Sequence, residues 1–325
     1  MQNFLKCSTL ILFFLFHGCV SVDMSLIRPP SPLQEHVIEG KGQPKILLLN
    51  ISGFISERSK GGNIMDLKRK PSLVVQVREA LQKAEQDDQI AGLIIKINSP
   101  GGTVTASDII YHELVKFRQK KDIPVYACIT GVGASGGYYV AAASDNITAH
   151  PTAITGSIGV IALKFNAEGL LNKIGLENET IKSGDKKDIF SPFRPITFEE
   201  REILQSIIDH LNNRFVDAIF AGRKDLLTKE QITKLGDGRI YTAQQALDSG
   251  LIDRIEYLDD TIIRMKNNLD IEHARIITYY RAGEYPSTIY SSSSSDNSTI
   301  LGLLGGQAGG FSPFSAVEFL YLWRP

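Results

Sequence analysis

Between residues 45 and 280 the chain alternates two kinds of apolar pattern. Short, almost unbroken runs such as Ile46-Leu47-Leu48-Leu49, Ala91 to Ile97 and Val125 to Ile129 match strands buried on both faces of a parallel sheet. Between them lie stretches with apolar residues at three- and four-residue steps. In Ser72 to Gln86 these are Leu73, Val74, Val77, Ala80 and Leu81, and in Phe198 to Ala221 they are Ile203, Ile207, Ile208, Leu211 and Phe215. Ala106 to Phe117, Phe165 to Ile174 and residues 258–267 read as further helices, and Thr242 with Gln245 makes a capping box for a short one stopped at Gly250. Strands are expected over Lys45 to Ile55, residues 91–97, from Val125, and over Asn146 to Ala149, Ile158 to Leu163, Glu177 to Lys182 and Ala274 to Tyr280. Strand–helix alternation implies right-handed crossovers and an α/β fold.

Both ends depart from this pattern. Residues 7–16 are apolar behind Lys6, too short for a span of roughly 20 residues but suited to the core of a signal peptide. Gly18-Cys19 follows, which resembles a lipoprotein processing site with Cys19 as the lipidated residue; ordinary cleavage or a retained short anchor are the alternatives. Each implies an exported protein, and lipidation or a retained anchor, the favoured readings together, would make it membrane-associated on the periplasmic or extracytoplasmic side, whereas cleavage without lipid would leave it soluble. Pro29, Pro30 and Pro32 mark a tether. From Ser291 come five serines, a glycine-rich stretch from Gly302 to Gly310, and an apolar end from Phe311 to Trp323. Such a tail cannot form its own core, and an exposed cluster of Phe, Leu, Tyr and Trp marks a binding surface. Its dock is the membrane, a neighbouring subunit or a substrate groove. Protein is favoured over lipid, because the stretch has no basic face and cannot span a bilayer. The expected division is a signal peptide at 1–18, a tether at 19–43, one catalytic domain at 44–282 and a tail at 283–325.

A net charge of −1 gives no electrostatic support to a nucleic-acid role. Of three cysteines two lie at the N-terminus, so Cys128 alone remains in the body and no disulfide framework exists. No cofactor or metal is expected.

The candidate chemistry lies in glycine-rich breaks after the strands. Gly131, Gly133, Gly136 and Gly137 crowd around Ser135, followed by Tyr-Tyr-Val-Ala-Ala-Ala, which reads as strand, tight turn and buried helix. A serine oxygen exposed at a helix N-terminus meets backbone N–H groups that favour developing negative charge; an ordinary N-cap serine is the plainer reading. Asn98-Ser99-Pro100-Gly101-Gly102 lies at the carboxyl end of a central strand, where open α/β sheets hold ligands. One of its N–H groups could complete an oxyanion hole, and a plain Pro-Gly turn is the alternative. For a base, His36, His112, His150, His210 and His273 stand in no loop motif beside an acid. Lys187 precedes the apolar pair Ile189-Phe190 and could turn inward, since burial can bring a lysine pKa toward neutrality. Asp185 and Asp188 argue for a solvated charged turn instead.

Five ordered segments together resemble bacterial signal peptide peptidase A in its short form. They are Ile97 to Gly102, Ala134 to Tyr139, Thr155 to Val160, Lys182-Ser183-Gly184 through Lys187-Asp188 to Ser191-Pro192, and Asp237-Gly238-Arg239 with Gly250 to Asp253. The resemblance implies a Clp-protease/crotonase-like fold of repeated β-β-α units and a Ser/Lys dyad. Ser135 would be the nucleophile, Lys187 the base, Ser157 the residue that orients the lysine, and the N–H groups of Gly136 and of Gly102 or Gly101 the oxyanion hole. It further implies a homo-oligomer in which serine and lysine can meet across a subunit boundary, and apolar signal-peptide remnants as substrates. Three rivals stay open: an α/β-hydrolase esterase on Gly133-Ala134-Ser135-Gly136-Gly137 with His273 as base, a crotonase-type acyl-CoA enzyme, and a non-catalytic membrane scaffold.

Overall fold

The computed structural model describes residues 31–59, 71–281, 287–291 and 319–323. The signal peptide, Cys19 and most of the tail lie outside them. Among the described residues no helix is long and apolar enough to cross a membrane.

The apolar runs build a nine-stranded sheet in the order β1-β11-β2-β3-β5-β6-β10, with β7 carried on β5 and β9 on β7. Its centre is β2 (Lys45–Ser52), β3 (Ile90–Ser99) and β5 (Val125–Ala134), all parallel and buried on both faces. Helix α1 (Leu73–Glu85) starts where the Ser72 hydroxyl accepts from the Val75 N–H, and buries Val77, Ala80, Leu81 and Ala84. Helix α2 (Val104–Lys121) is capped by Thr103, and α3 (Gly136–Ala141) is buried throughout. Fully burying each Ile or Leu of this layer contributes roughly 1.5–3 kcal/mol. A second core on the opposite face joins Ile94, Cys128, Leu258, Ile262 and Met265.

Strand β3, then β4 (Gly101–Thr103), then α2 form a β-β-α unit. Strand β4 belongs to a separate three-stranded sheet, β4-β12-β8, whose other members are β8 (Ile161–Ala162) and β12 (Phe319–Leu322). The remaining elements are β6 (Asn146–Ala149), β7 (Ile154–Gly156), α4 (Glu168–Lys173), α5 (Phe198–Arg223), α6 (Lys229–Leu235), β9 (Ile240–Thr242), α7 (Ala243–Asp248), β10 (Arg254–Ile255), α8 (Leu258–Asn268) and β11 (Arg275–Tyr280).

Three segments depart from expectation. Gln34–Gly40, read within the tether, is β1, an antiparallel edge strand on β11. The strand expected at Glu177 to Lys182 is an exposed loop, with Ile181 fully in solvent and no strand paired with it among the described residues. The end of the tail is β12, seated between β4 and β8.

Candidate active site

Strand β5 delivers Ser135 to the carboxyl edge of the sheet. The Ser135 N–H donates to the Gly156 carbonyl at 2.7 Å, and its own carbonyl accepts from the Tyr139 N–H at the start of α3. These bonds hold Ser135 at φ 52°, ψ −117°, a backbone region costly for any side-chain-bearing residue. Its Oγ does not cap α3 and has no hydrogen-bond partner among the described residues. The plain capping role is therefore absent. Ser135 is 1% exposed, whereas the sequence pattern led us to expect an exposed hydroxyl.

Opposite Ser135 stand Gly101 and Gly102. The Gly101 N–H donates to Ser99 Oγ at 3.1 Å, which occupies it. Ile55 donates to the Gly101 carbonyl at 3.0 Å and accepts from Thr103 N–H at 2.9 Å, so the Gly102 N–H between them points the other way, toward β12. Gly102 rather than Gly101 is thus the available donor, a choice the sequence left open. Gly136 packs so closely that a Cβ there would lie 2.4 Å from Ser107 Oγ and 3.1 Å from the Gly102 nitrogen. The residue that follows Ser135 and the Gly102 amide, from two different loops, thus pack together, and a pair of backbone amides beside a serine is able to stabilise a tetrahedral oxyanion during acyl transfer. Ser157, at φ 49°, is fixed beside them by its N–H to the Arg239 carbonyl at 2.7 Å and by the Gly156–Ser135 bond.

Ser135, Ser157, Gly101, Gly102 and Gly136 come together; Lys187 does not. It is exposed, its N–H donates to the Gly184 carbonyl, and its ammonium has no hydrogen-bond or ion-pair partner among the described residues. Its neighbours are committed elsewhere. Lys186 pairs with Glu199 at 2.5 Å, a contact that raises its pKa and keeps it charged. Asp188 accepts from Arg194 and Lys182, which hold its carboxyl well below the usual range. The Asp188 carboxylate is therefore occupied by two other cations.

Two other bases fail on geometry. Lys96 is buried, and desolvation lowers its pKa to about 8. It lies on the β3 face it shares with Ile94, toward the second core, and donates to the carbonyls of Ile289 and Ser291. Sequence reasoning did not single it out, because one lysine in an apolar run carries no local signal of its carbonyl partners. His273 precedes β11 at the amino end of the parallel strands, three strands from β5, whereas Ser135 follows the carboxyl end of β5. A serine–histidine pair of the hydrolase kind is not assembled.

This fold, with a buried serine next to the closely packed Gly102 and Gly136, is that of a serine-type peptidase of the Clp-protease-like α/β class. The Peptidase family S49 profile matches residues 117–272, and the Clp protease profile matches residues 67–155. An Enterococcus faecium protein provisionally named signal peptide peptidase SppA is 35% identical over 76% of this chain and 70% of its own length. A provisionally named protease of Methanocaldococcus jannaschii is 32% identical over 83% and 84%. The chloroplastic serine protease SPPA of Arabidopsis thaliana is 29% identical over 81% of this chain but only 38% of its own. The chain belongs to peptidase family S49, the signal peptide peptidase A family.

Proposed function

We propose that this serine peptidase is an endopeptidase for apolar peptides of the signal-remnant type, using Ser135 with Lys187 of a neighbouring copy. The observation that carries this reading is the buried Ser135 Oγ, which lacks a partner among the described residues and is followed in the chain by Gly136, packed against Gly102. The hydroxyl needs a base that one copy does not supply. Lys187 is exposed on a loop region that also exposes Leu170 (62%), Ile174 (60%), Leu176 (55%) and Ile181 (102%). An apolar surface of that kind suits burial against a second copy of the chain. In the assembled site neutral Lys187 takes the Ser135 proton, and the alkoxide attacks a peptide carbonyl. The amides of Gly102 and Gly136 hold the oxyanion, and the acyl-enzyme is then hydrolysed by water. Membrane attachment through the N-terminus, with Cys19 as the lipid site, would bring the enzyme to such substrates.

Complementation tests the dyad. Ser135→Ala and Lys187→Ala should each be inactive on an apolar fluorogenic peptide, while Lys186→Ala keeps most activity. Co-assembled in equal amounts, the two inactive variants should regain roughly a quarter of wild-type activity, because half the serines meet half the lysines. No recovery from properly assembled mixtures would place the dyad within one chain. An active Lys187→Ala would remove Lys187 from catalysis.

A further inference from the structure

We infer that Arg194 is a positioning residue for the base: it holds the Lys187 turn in the orientation from which the lysine reaches the serine of a neighbouring copy. The inference rests on the peptidase reading above. It adds a residue that acts only through Lys187.

The turn that carries Lys187 is held mostly by itself. Residues 183–191 form neither helix nor strand. Their main-chain bonds are local: Lys187 N–H to the Gly184 carbonyl at 3.1 Å, Ile189 N–H to the Lys186 carbonyl at 3.3 Å, and Ser191 N–H to the Asp188 carbonyl at 2.8 Å. Lys182 adds two more local ties, donating from Nζ to the Asp185 carbonyl at 3.2 Å and to the Asp188 carboxylate at 2.7 Å. Such bonds fix the shape of the turn and leave its direction open. The Lys186–Glu199 pair does reach beyond it, but both side chains are exposed, and surface pairs of that kind contribute little.

Arg194 supplies the tie to the core. A guanidinium has five N–H donors, and here all five are used. Nε donates to Asp188 Oδ2 at 2.9 Å and Nη2 to Asp188 Oδ1 at 2.7 Å, one complete fork. Nη1 donates to Glu200 Oε2 at 2.9 Å and Nη2 to Glu200 Oε1 at 2.6 Å, a second fork. The fifth bond runs from Nη1 to the Pro195 carbonyl at 3.1 Å. Glu200 is itself fixed: it is buried in the first turn of α5 and closes the capping box with Thr197. Helix α5 continues to Phe215 and Ile219 in the main core, and Phe215 lies against Tyr139 of α3 at 4.9 Å. From the other side Lys164, just after β8, donates to the Arg194 carbonyl at 2.7 Å. One path of contacts thus runs from the residue after Lys187, through Arg194, to the helix that packs beside the serine turn.

Lysine could not replace this arginine, because three donors on one nitrogen cannot form two parallel forks. Position matters because a misplacement of about 1 Å in a catalytic group costs roughly a hundredfold in rate. A base acts in the proton transfer and not in substrate binding, so the loss should fall on kcat and leave KM alone.

Purified full chains, assayed on the apolar fluorogenic peptide, test this by kinetics and by mixing. Arg194→Gln should lose roughly a hundredfold in kcat at unchanged KM, and Arg194→Lys should not restore it. Asp188→Asn weakens only the fork on the Lys187 side and leaves Arg194 on Glu200. It should show the same kind of loss, which separates mispositioning from a failure of Arg194→Gln to fold. Co-assembled in equal amounts with Ser135→Ala, either variant should recover to roughly a quarter of wild-type activity, because intact serines then meet intact lysine turns. Co-assembled with Lys187→Ala, neither should rise above its own level. Wild-type kcat in Arg194→Gln or Arg194→Lys overturns the assignment, as does a loss confined to KM. So does recovery with Lys187→Ala, or no recovery with Ser135→Ala while Ser135→Ala and Lys187→Ala restore each other. If that last pair does not recover, the shared-site reading itself falls, and the inference with it.

Discussion

Replacing Ser135 by glycine should stabilise the protein more than replacing it by alanine. Ser135 is held at φ 52°, ψ −117°, and such backbone strain costs a side-chain-bearing residue about 1–3 kcal/mol. Alanine inherits that strain and glycine escapes it. Against this, glycine loses roughly 0.5–1 kcal/mol through the greater freedom of its unfolded chain. Both substitutions also remove the buried, unpartnered Oγ, so that contribution cancels between them. The balance favours Ser135→Gly by about 1 kcal/mol, or roughly 2–4 °C in melting temperature for a domain of this size. Both variants lack the nucleophile, which makes them the proper pair to compare by thermal or urea denaturation. If Ser135→Gly melts at or below Ser135→Ala, the serine backbone is not strained and the active-site turn stores nothing.

Two pH predictions follow from charges outside the catalytic turn. The hydrogen bonds of Arg194 hold Asp188 well below the usual carboxylate range and bring Glu200 down to about 2. Their stabilisation is present above the unfolded carboxylate value of about 4 and is lost as pH falls through the folded values. The stability advantage of wild type over Arg194→Gln should be steady between pH 7 and about 5 and shrink toward pH 2; a constant gap would contradict the pairing. Lys96, lowered to about 8 by burial, behaves in the opposite direction. The fold prefers its neutral form, so stability relative to Lys96→Met should rise between pH 8 and about 10.4, by up to roughly 3 kcal/mol. A flat difference over that range would mean that the lysine is solvated.

The catalytic turn was legible in the sequence because its signals are local. Strand β5, the glycines and Ser135 are contiguous, and the Gly101-Gly102 pair ends a run that only a buried strand explains. What was hidden depends on partners distant in the chain. Strand β1 is a polar edge strand, whose Gln34, Glu35, His36 and Glu39 look like linker until β11 supplies its ladder. The segment at 177–182 shows the converse, since its β-like composition has no neighbouring strand to pair with in a single copy. Lys187 is readable only by family resemblance, because its charged surroundings describe a surface turn equally well. The tail reads as apolar and in need of a dock, but nothing in its composition points to β4 and β8. Choosing Gly102 over Gly101 needed the Ser99 hydroxyl, whose contact is a matter of geometry.

Strands β4 and β8 face each other across a gap that one extended segment fills, and most of what they offer is main chain. Such a slot sorts ligands by conformation before it sorts them by composition. A helix pairs its N–H and C=O groups with one another along its own axis, and a folded domain keeps its central strands paired on both edges; neither can enter as it stands. A hydrophobic peptide helical in a bilayer must therefore unwind before it can be cut, and its backbone groups have no partners until they reach the slot. That requirement protects intact folded proteins without any inhibitor. It leaves loose ends, frayed termini and other extended, unpaired segments as the material this site can take.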